Sequence, residues 1–158
     1  MLNTAYTPNA VRLSDDRLVW IGVTGVSSAD GTFQTARFYW SPWAGSAQGL
    51  TPTAGPVIPA VAGLASLAVG GDYAAALGCD SSLVGDPVCH VYVVRLSTRQ
   101  LWTIPGRPGG NQFVQVLAAS PTELVLAEID SPVTKAVMRQ EIQRIVRVQI
   151  SALDQLGW

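Results

Sequence analysis

Charged residues are scarce in this chain. Aspartate, glutamate, lysine and arginine make up 13% of its 158 residues, well below the roughly 25% usual in soluble domains. Hydrophobic residues make up 48%, so much of the chain must be buried or held in contact with something. The net charge of −1 provides no attraction to the phosphates of nucleic acid, which argues against a nucleic-acid partner.

Long hydrophobic runs and a secretory signal are also missing. No stretch approaches the 18 or so consecutive apolar residues of a membrane-spanning helix, because residues 59–69 are too few and are interrupted by Gly63 and Ser66. We therefore expect no membrane span. Residues 1–6 lack the basic and apolar regions of a signal peptide, so either the protein stays inside the cell or a leader has been removed.

Residues suited to catalysis are few. His90 is the single histidine, so a Ser-His-Asp triad would have to use it, and residues 25–29 lack the second glycine of a nucleophile elbow. The carboxylates Asp16, Asp72 and Glu123 fall in tight turns, where such side chains commonly satisfy backbone amides. We predict no catalytic residue and no cofactor.

The two cysteines flank a loop between apolar segments. Cys79 ends one segment and Cys89 opens the next, which would place them opposite each other at the mouth of a β-hairpin, at a separation suited to a disulfide. Such a bond indicates a periplasmic or extracellular protein, whereas a reduced pair would fit the cytoplasm. A metal site of Cys79, Cys89 and His90 is not expected, because consecutive strand residues point to opposite faces of a sheet.

The chain contains an internal repeat. Residues 11–22, 66–77 and 116–127 each read as an apolar strand, a tight turn and a second apolar strand, with Leu13, Leu67 and Leu117 marking a period of about fifty residues. Third strands are predicted at 36–41, 92–97 and 146–151, and fourth strands at 48–52, 100–106 and 155–158. Each unit is thus predicted to be a four-stranded antiparallel sheet.

Such units predict one all-β domain over residues 1–158, with repeats at approximately 5–56, 63–106 and 112–158. The turns at residues 13–17 and 119–123 look like degraded forms of a Ser-Pro-Asp-Gly turn, and here the chain resembles bacterial β-propellers of the TolB-like and related kinds. The resemblance implies three propeller blades and leaves the function open, because propellers have many functions. A β-sandwich or an irregular β-barrel is the alternative fold.

Three blades are too few for a propeller, which typically has about four to eight. We therefore expect a non-enzymatic interaction or assembly module that is completed by self-association or by a partner chain. One alternative is the propeller portion of an exported hydrolase or lyase whose catalytic residues lie elsewhere. Another is a carbohydrate-binding module, with Tyr39, Trp40 and Trp43 as the candidate glycan-binding residues because exposed aromatic rings stack on sugars.

Overall fold

The computed structural model describes residues 7–14, 16–28, 31–43, 45, 50–58, 61–80, 88–106, 112–129 and 144–155. This part of the chain is all-β, as predicted. Its elements, in chain order, are β1 (Thr7–Ser14), β2 (Arg17–Ser28), β3 (Gly31–Pro42), β4 (Thr53–Ile58), β5 (Val61–Gly70), β6 (Tyr73–Asp80), β7 (Cys89–Arg95), β8 (Leu101–Ile104), β9 (Gln112–Ala119), β10 (Glu123–Ile129), β11 (Arg144–Gln149) and a 3₁₀ helix (Ile150–Gln155).

The strands form three separate antiparallel sheets, and each sheet is built from strands that follow one another along the chain. The first sheet contains β1 to β4, the second β5 to β8 and the third β9 to β11. Neighbouring strands are connected as simple meanders, and none of these sheets is closed on itself within the described ranges. The tight turns between the first two strands of each sheet are the turns predicted from the repeated hairpins.

One backbone hydrogen bond recurs in all three sheets and defines their common register. The first residue after the third strand donates its amide to a carbonyl in the first turn: Trp43 to Asp16 at 2.7 Å, Leu96 to Asp72 at 2.8 Å and Ile150 to Thr122 at 2.8 Å. The same local structure is therefore repeated three times along the chain.

This register corrects the sequence alignment in the first repeat. The turn bonds make Leu67 and Leu117 equivalent, as predicted. They make Leu13 equivalent to Val69 and not to Leu67. In the third strands, Pro42 corresponds to Arg95, so residues 36–41 were aligned three positions out of register. Phe38, Tyr39 and Trp40 are consecutive apolar residues, so the sequence pattern does not determine which of them points to which face, and the turn bonds establish the register.

One predicted fourth strand was placed wrongly, and another lies almost entirely outside the described residues. In the first sheet the fourth strand is β4 (Thr53–Ile58) and not residues 48–52; it lies at the edge of the sheet, where Pro56 is tolerated. In the third sheet the chain enters the 3₁₀ helix after β11, because Ile150 and Leu153 turn inward and are buried. Within the described ranges the third sheet contains three strands. The rest of the segment predicted as its fourth strand, 156–158, lies outside the described residues. The prediction for the second sheet is confirmed by β8.

Two hydrophobic clusters hold the three sheets together. The first cluster lies between the first and second sheets, and Phe38 of β3 and Val94 of β7 are fully buried in it. The second lies between the second and third sheets and includes Val93 of β7 and Leu126 of β10. The second sheet is consequently covered on both faces, while the first and third sheets are each covered on one face by another sheet.

Candidate interaction surfaces

The repeat allows the two faces of each sheet to be compared from one sheet to the next. We define the front face as the one that carries Ala74 and Ala76 in the second sheet, and the back face as the one that carries Ala75 and Leu77. Equivalent residues in the first, second and third sheets are Leu18, Ala74 and Leu124 on the front face, and Val19, Ala75 and Val125 on the back face.

The sheets pack in one direction, back face on front face. Val19 and Phe38, on the back of the first sheet, share a cluster with Ala74 and Tyr92 on the front of the second sheet. The same arrangement follows between the second and third sheets, where back-face residues meet front-face residues of β10. Among the described strands, two faces therefore have no partner sheet: the front of the first sheet and the back of the third.

The front face of the first sheet is apolar and partly open to solvent. Leu13 of β1 is 57% exposed and Val11 is 43% exposed. Trp20 and Tyr39, directly opposite each other on β2 and β3, stack with their ring centroids 5.8 Å apart. Tyr39 is half-buried, whereas its equivalent in the second sheet, Tyr92, is buried in the first cluster. This face retains the apolar composition of a packed face without being packed by another sheet.

The back face of the third sheet is open only in part, since Ala127, which is paired with Ile145, is fully buried. Ile145 of β11 is 52% exposed, although its equivalents Phe38 and Val91 are fully buried in the two clusters. Val125 is half-buried, and Arg147 projects an exposed side chain from the same face. This face has three strands and is more polar than the front face of the first sheet. Its apolar residue Ile145 nevertheless occupies a position whose equivalents in the other two sheets are buried.

A polar cluster joins the first two sheets at the turn between β5 and β6. The Asp72 carboxylate accepts hydrogen bonds from Arg17 Nη1 at 2.9 Å, from Arg95 Nε at 3.2 Å and from the Ser97 amide at 3.0 Å. The Ser97 hydroxyl donates to the same carboxylate. Arg17 belongs to the first sheet and the other donors to the second, so Asp72 fixes the two sheets relative to each other.

The environment of Asp72 lowers the pKa of its carboxyl group from 3.8. Partial burial acts in the opposite direction and raises the pKa, but the hydrogen bonds from Ser97, Arg17 and Arg95 outweigh it. Asp72 was predicted as a turn residue. It does occupy the turn, and its side chain in addition forms an inter-sheet contact that sequence patterns did not indicate.

The structure does not assemble the three candidate aromatic residues into one platform. Trp40 is buried in the first cluster on the back face, whereas Tyr39 lies on the front face of the same strand. Trp43 follows the strand and is half-buried. Tyr39 and Trp40 therefore lie on opposite faces of β3.

The predicted disulfide between Cys79 and Cys89 is confirmed. The two residues are directly paired on β6 and β7, and their sulfur atoms are bonded. The neighbouring His90 Nδ1 accepts a hydrogen bond from the Gly106 amide at 3.1 Å. Within the described part of the chain, no group of three His, Cys, Asp or Glu residues is positioned to hold a metal ion.

The buried carboxylate of the third sheet has a structural partner. Glu128 Oε2 accepts hydrogen bonds from Arg144 Nε at 3.0 Å and Nη2 at 2.6 Å, directly across the β10–β11 pair. The two carboxylates with the most extensive hydrogen bonding described here, Glu128 and Asp72, are thus both bonded to arginine. They lie in different sheets.

Comparison of the chain with protein-family models, with curated protein sequences and with solved structures finds no match. Among the described residues, no helix has the length and apolar character needed to cross a membrane.

Sequence reasoning anticipated exposed apolar sheet faces but did not identify the residues that form them. In the sequence, Leu13 marks the repeat, and nothing distinguishes Ile145 from the other apolar strand residues. The available signal was their position beside strand residues that alternate between apolar and polar, but alternation alone does not tell which face of a sheet is left without a neighbour.

Proposed function

We propose that this chain is a non-enzymatic interaction and assembly module, built from three blades of an incomplete β-propeller. The observation that carries the proposal is that the two end sheets expose apolar residues at positions that are buried elsewhere in the repeat. Ile145 is half exposed where Val91 is fully buried, and soluble chains rarely leave contiguous apolar surface in water without a partner.

The propeller interpretation is supported by how the sheets are stacked. Each successive sheet lies on the back of the previous one, and the first strands β1, β5 and β9 contact their neighbours in that order. Strands that begin each blade line the axis in a propeller. A two-sheet sandwich, the alternative fold, would have no sheet covered on both faces by other sheets.

The disulfide supports a periplasmic or extracellular location, because such bonds persist in oxidising compartments. An exported hydrolase or lyase with its catalytic residues elsewhere, and a carbohydrate-binding module, were the other hypotheses. No observation in the described residues favours either of them over an assembly role.

The proposal is tested by measuring association with light scattering for the wild-type chain and for the double variant Leu13→Lys, Ile145→Lys. Both side chains are largely exposed, so these changes should leave the fold intact while placing charge on the two open faces. We expect the wild-type protein to associate and the variant to be monomeric. Gln100→Lys, in an exposed loop of the second sheet, adds the same kind of charge away from both faces and should associate like the wild type. Equal masses for wild type and double variant would refute the proposal.

A further inference from the structure

We propose that the partner is a second copy of this chain, joined head to tail. The front face of the first sheet of one copy packs on the back face of the third sheet of the other, and the reciprocal contact closes a ring of six sheets. This inference rests on the proposed function and specifies its partner and geometry.

The first reason is continuity with the packing inside the chain. Back-on-front packing occurs twice within one copy, around Val19 with Ala74 and around Val93 with Leu126. One copy leaves one front face and one back face open, so a second copy supplies the face that each of them lacks. A front-to-front contact would join two like faces, an arrangement that neither internal junction uses.

The second reason is closure. A head-to-tail contact produces a closed ring if its rotation fits and an open filament if it does not. Two copies contribute six sheets, which lies within the range of about four to eight blades that close a propeller. In a two-copy ring every open face is used, so no further copy has a place to add.

The third reason is the match of individual residues to buried counterparts. Tyr39 stands where Tyr92 is buried in the first junction, and Ile145 stands where Val91 is buried in the second. Arg147 replaces Val93 on the back face. An arginine is compatible with this position because its guanidinium group stacks favourably on aromatic rings, and the opposing front face carries the half-buried Tyr39 ring.

One polar contact of the internal junction is not reproduced between copies. The Arg17 to Asp72 ion pair links the first and second sheets, and the equivalent residues at the junction between copies are Glu123 and Asp16. Both are acidic, and Asp16 has a largely exposed side chain. The junction between copies therefore lacks this ion pair and should be weaker than the internal ones. Glu123→Arg should restore the pair and tighten association by about two- to fivefold. Glu123→Gln removes the like charge together with the ion pair that Glu123 forms with Arg147 at 4.0 Å, and should have a smaller effect.

The decisive experiment is complementation between two single variants, Leu13→Lys and Ile145→Lys, followed by light scattering at micromolar concentration. In a head-to-tail ring made of two copies of one variant, each of the two junctions contains one substituted face. Each variant alone should therefore be monomeric. Their mixture should recover particles with the mass of two chains through one junction, because the intact back face of one variant meets the intact front face of the other. The second junction of that pair contains both lysines and should stay open. Both substitutions add a positive charge, so the recovery cannot come from a new ion pair between them.

Other results would separate this inference from the proposed function. If the wild type associates but one variant still forms the wild-type dimer, or if the mixture stays monomeric, the open faces are used without head-to-tail pairing and only the inference fails. Open-ended particles larger than two chains would exclude the closed ring. If the wild type is monomeric, or if both variants associate like the wild type, the inference and the proposed function both fail. Circular dichroism of each variant checks that the strands are retained.

Discussion

Arg17 in the first sheet donates a hydrogen bond from Nη1 to the Asp72 carboxylate in the second sheet at 2.9 Å. Fifty-five positions separate the two residues in the sequence. Asp72 also accepts from Arg95 and Ser97 of its own sheet. The turn between β5 and β6 is therefore the place where the orientation of the first two sheets is set by polar contacts.

Removing the Asp72 carboxylate should destabilise the protein more than removing the Arg17 guanidinium. Asp72→Asn weakens four charge-assisted hydrogen bonds, and we expect a loss of about 1–3 kcal/mol in the free energy of unfolding. Arg17→Met leaves Asp72 with Arg95 and Ser97 and should cost about 1 kcal/mol or less. Urea unfolding of both variants measures the difference. A larger loss for Arg17→Met would show that Asp72 does not act as the centre of this cluster.

The lowered pKa of Asp72 predicts a pH dependence of stability. Because the carboxyl pKa is below 3.8 in the folded protein, the stabilisation is present above that value and is lost as the pH falls through the folded-state pKa. The wild-type chain should therefore lose more stability than Asp72→Asn between neutral pH and about pH 3. Urea midpoints at the two pH values provide the measurement. Parallel losses in the two proteins would contradict the assignment.

Gly70 should not tolerate a side chain. It ends β5 where the second sheet meets the third, and a Cβ atom there would overlap the carbonyl group of Ala119 and crowd Ser120. Gly70→Ala should cost about 3 kcal/mol or more, because backbone and not a flexible side chain would have to move. At Gly55 the nearest atoms to an added Cβ lie at 3.1 Å, so Gly55→Ala is a milder comparison. Thermal unfolding of both variants ranks them, and an equal loss at the two positions would be inconsistent with the close contact at Gly70.

The disulfide should stabilise the folded chain measurably. It joins two cysteines at a sequence separation of 10 and so closes a short loop. Its removal in the double variant Cys79→Ser, Cys89→Ser should cost about 2–3 kcal/mol. Addition of reductant to the wild type should lower its melting temperature and leave that of the double variant unchanged. A wild-type melting temperature that does not respond to complete reduction would contradict this prediction.

The sequence was sufficient to predict the repeated hairpins, the all-β class and the disulfide, because these depend on local patterns. The turn at Asp72 and the apolar segments on either side of Cys79 and Cys89 specify strand, turn and pairing within a few residues. The fourth strands were harder to place. After β11 the chain forms a 3₁₀ helix in which Ile150 and Leu153 are buried. Tertiary packing therefore determines the structure at this point.

The open faces could not be predicted at the level of residues. Ile145 and Val91 are both apolar strand residues, and their sequence environments do not reveal that one is buried between sheets and the other exposed. That difference depends on the order in which whole sheets stack. The adjacent Tyr39 and Trp40 illustrate the same limit, since alternation places them on opposite faces but does not say which face receives a neighbouring sheet.

The most direct test of the central claim is the mass of the wild-type chain in solution, measured by size-exclusion chromatography with light scattering across a range of micromolar concentrations. The head-to-tail ring predicts a particle with the mass of two chains, both with and without reductant, because the disulfide lies within one chain and the association uses sheet faces. A particle with the mass of one chain at every concentration would contradict it.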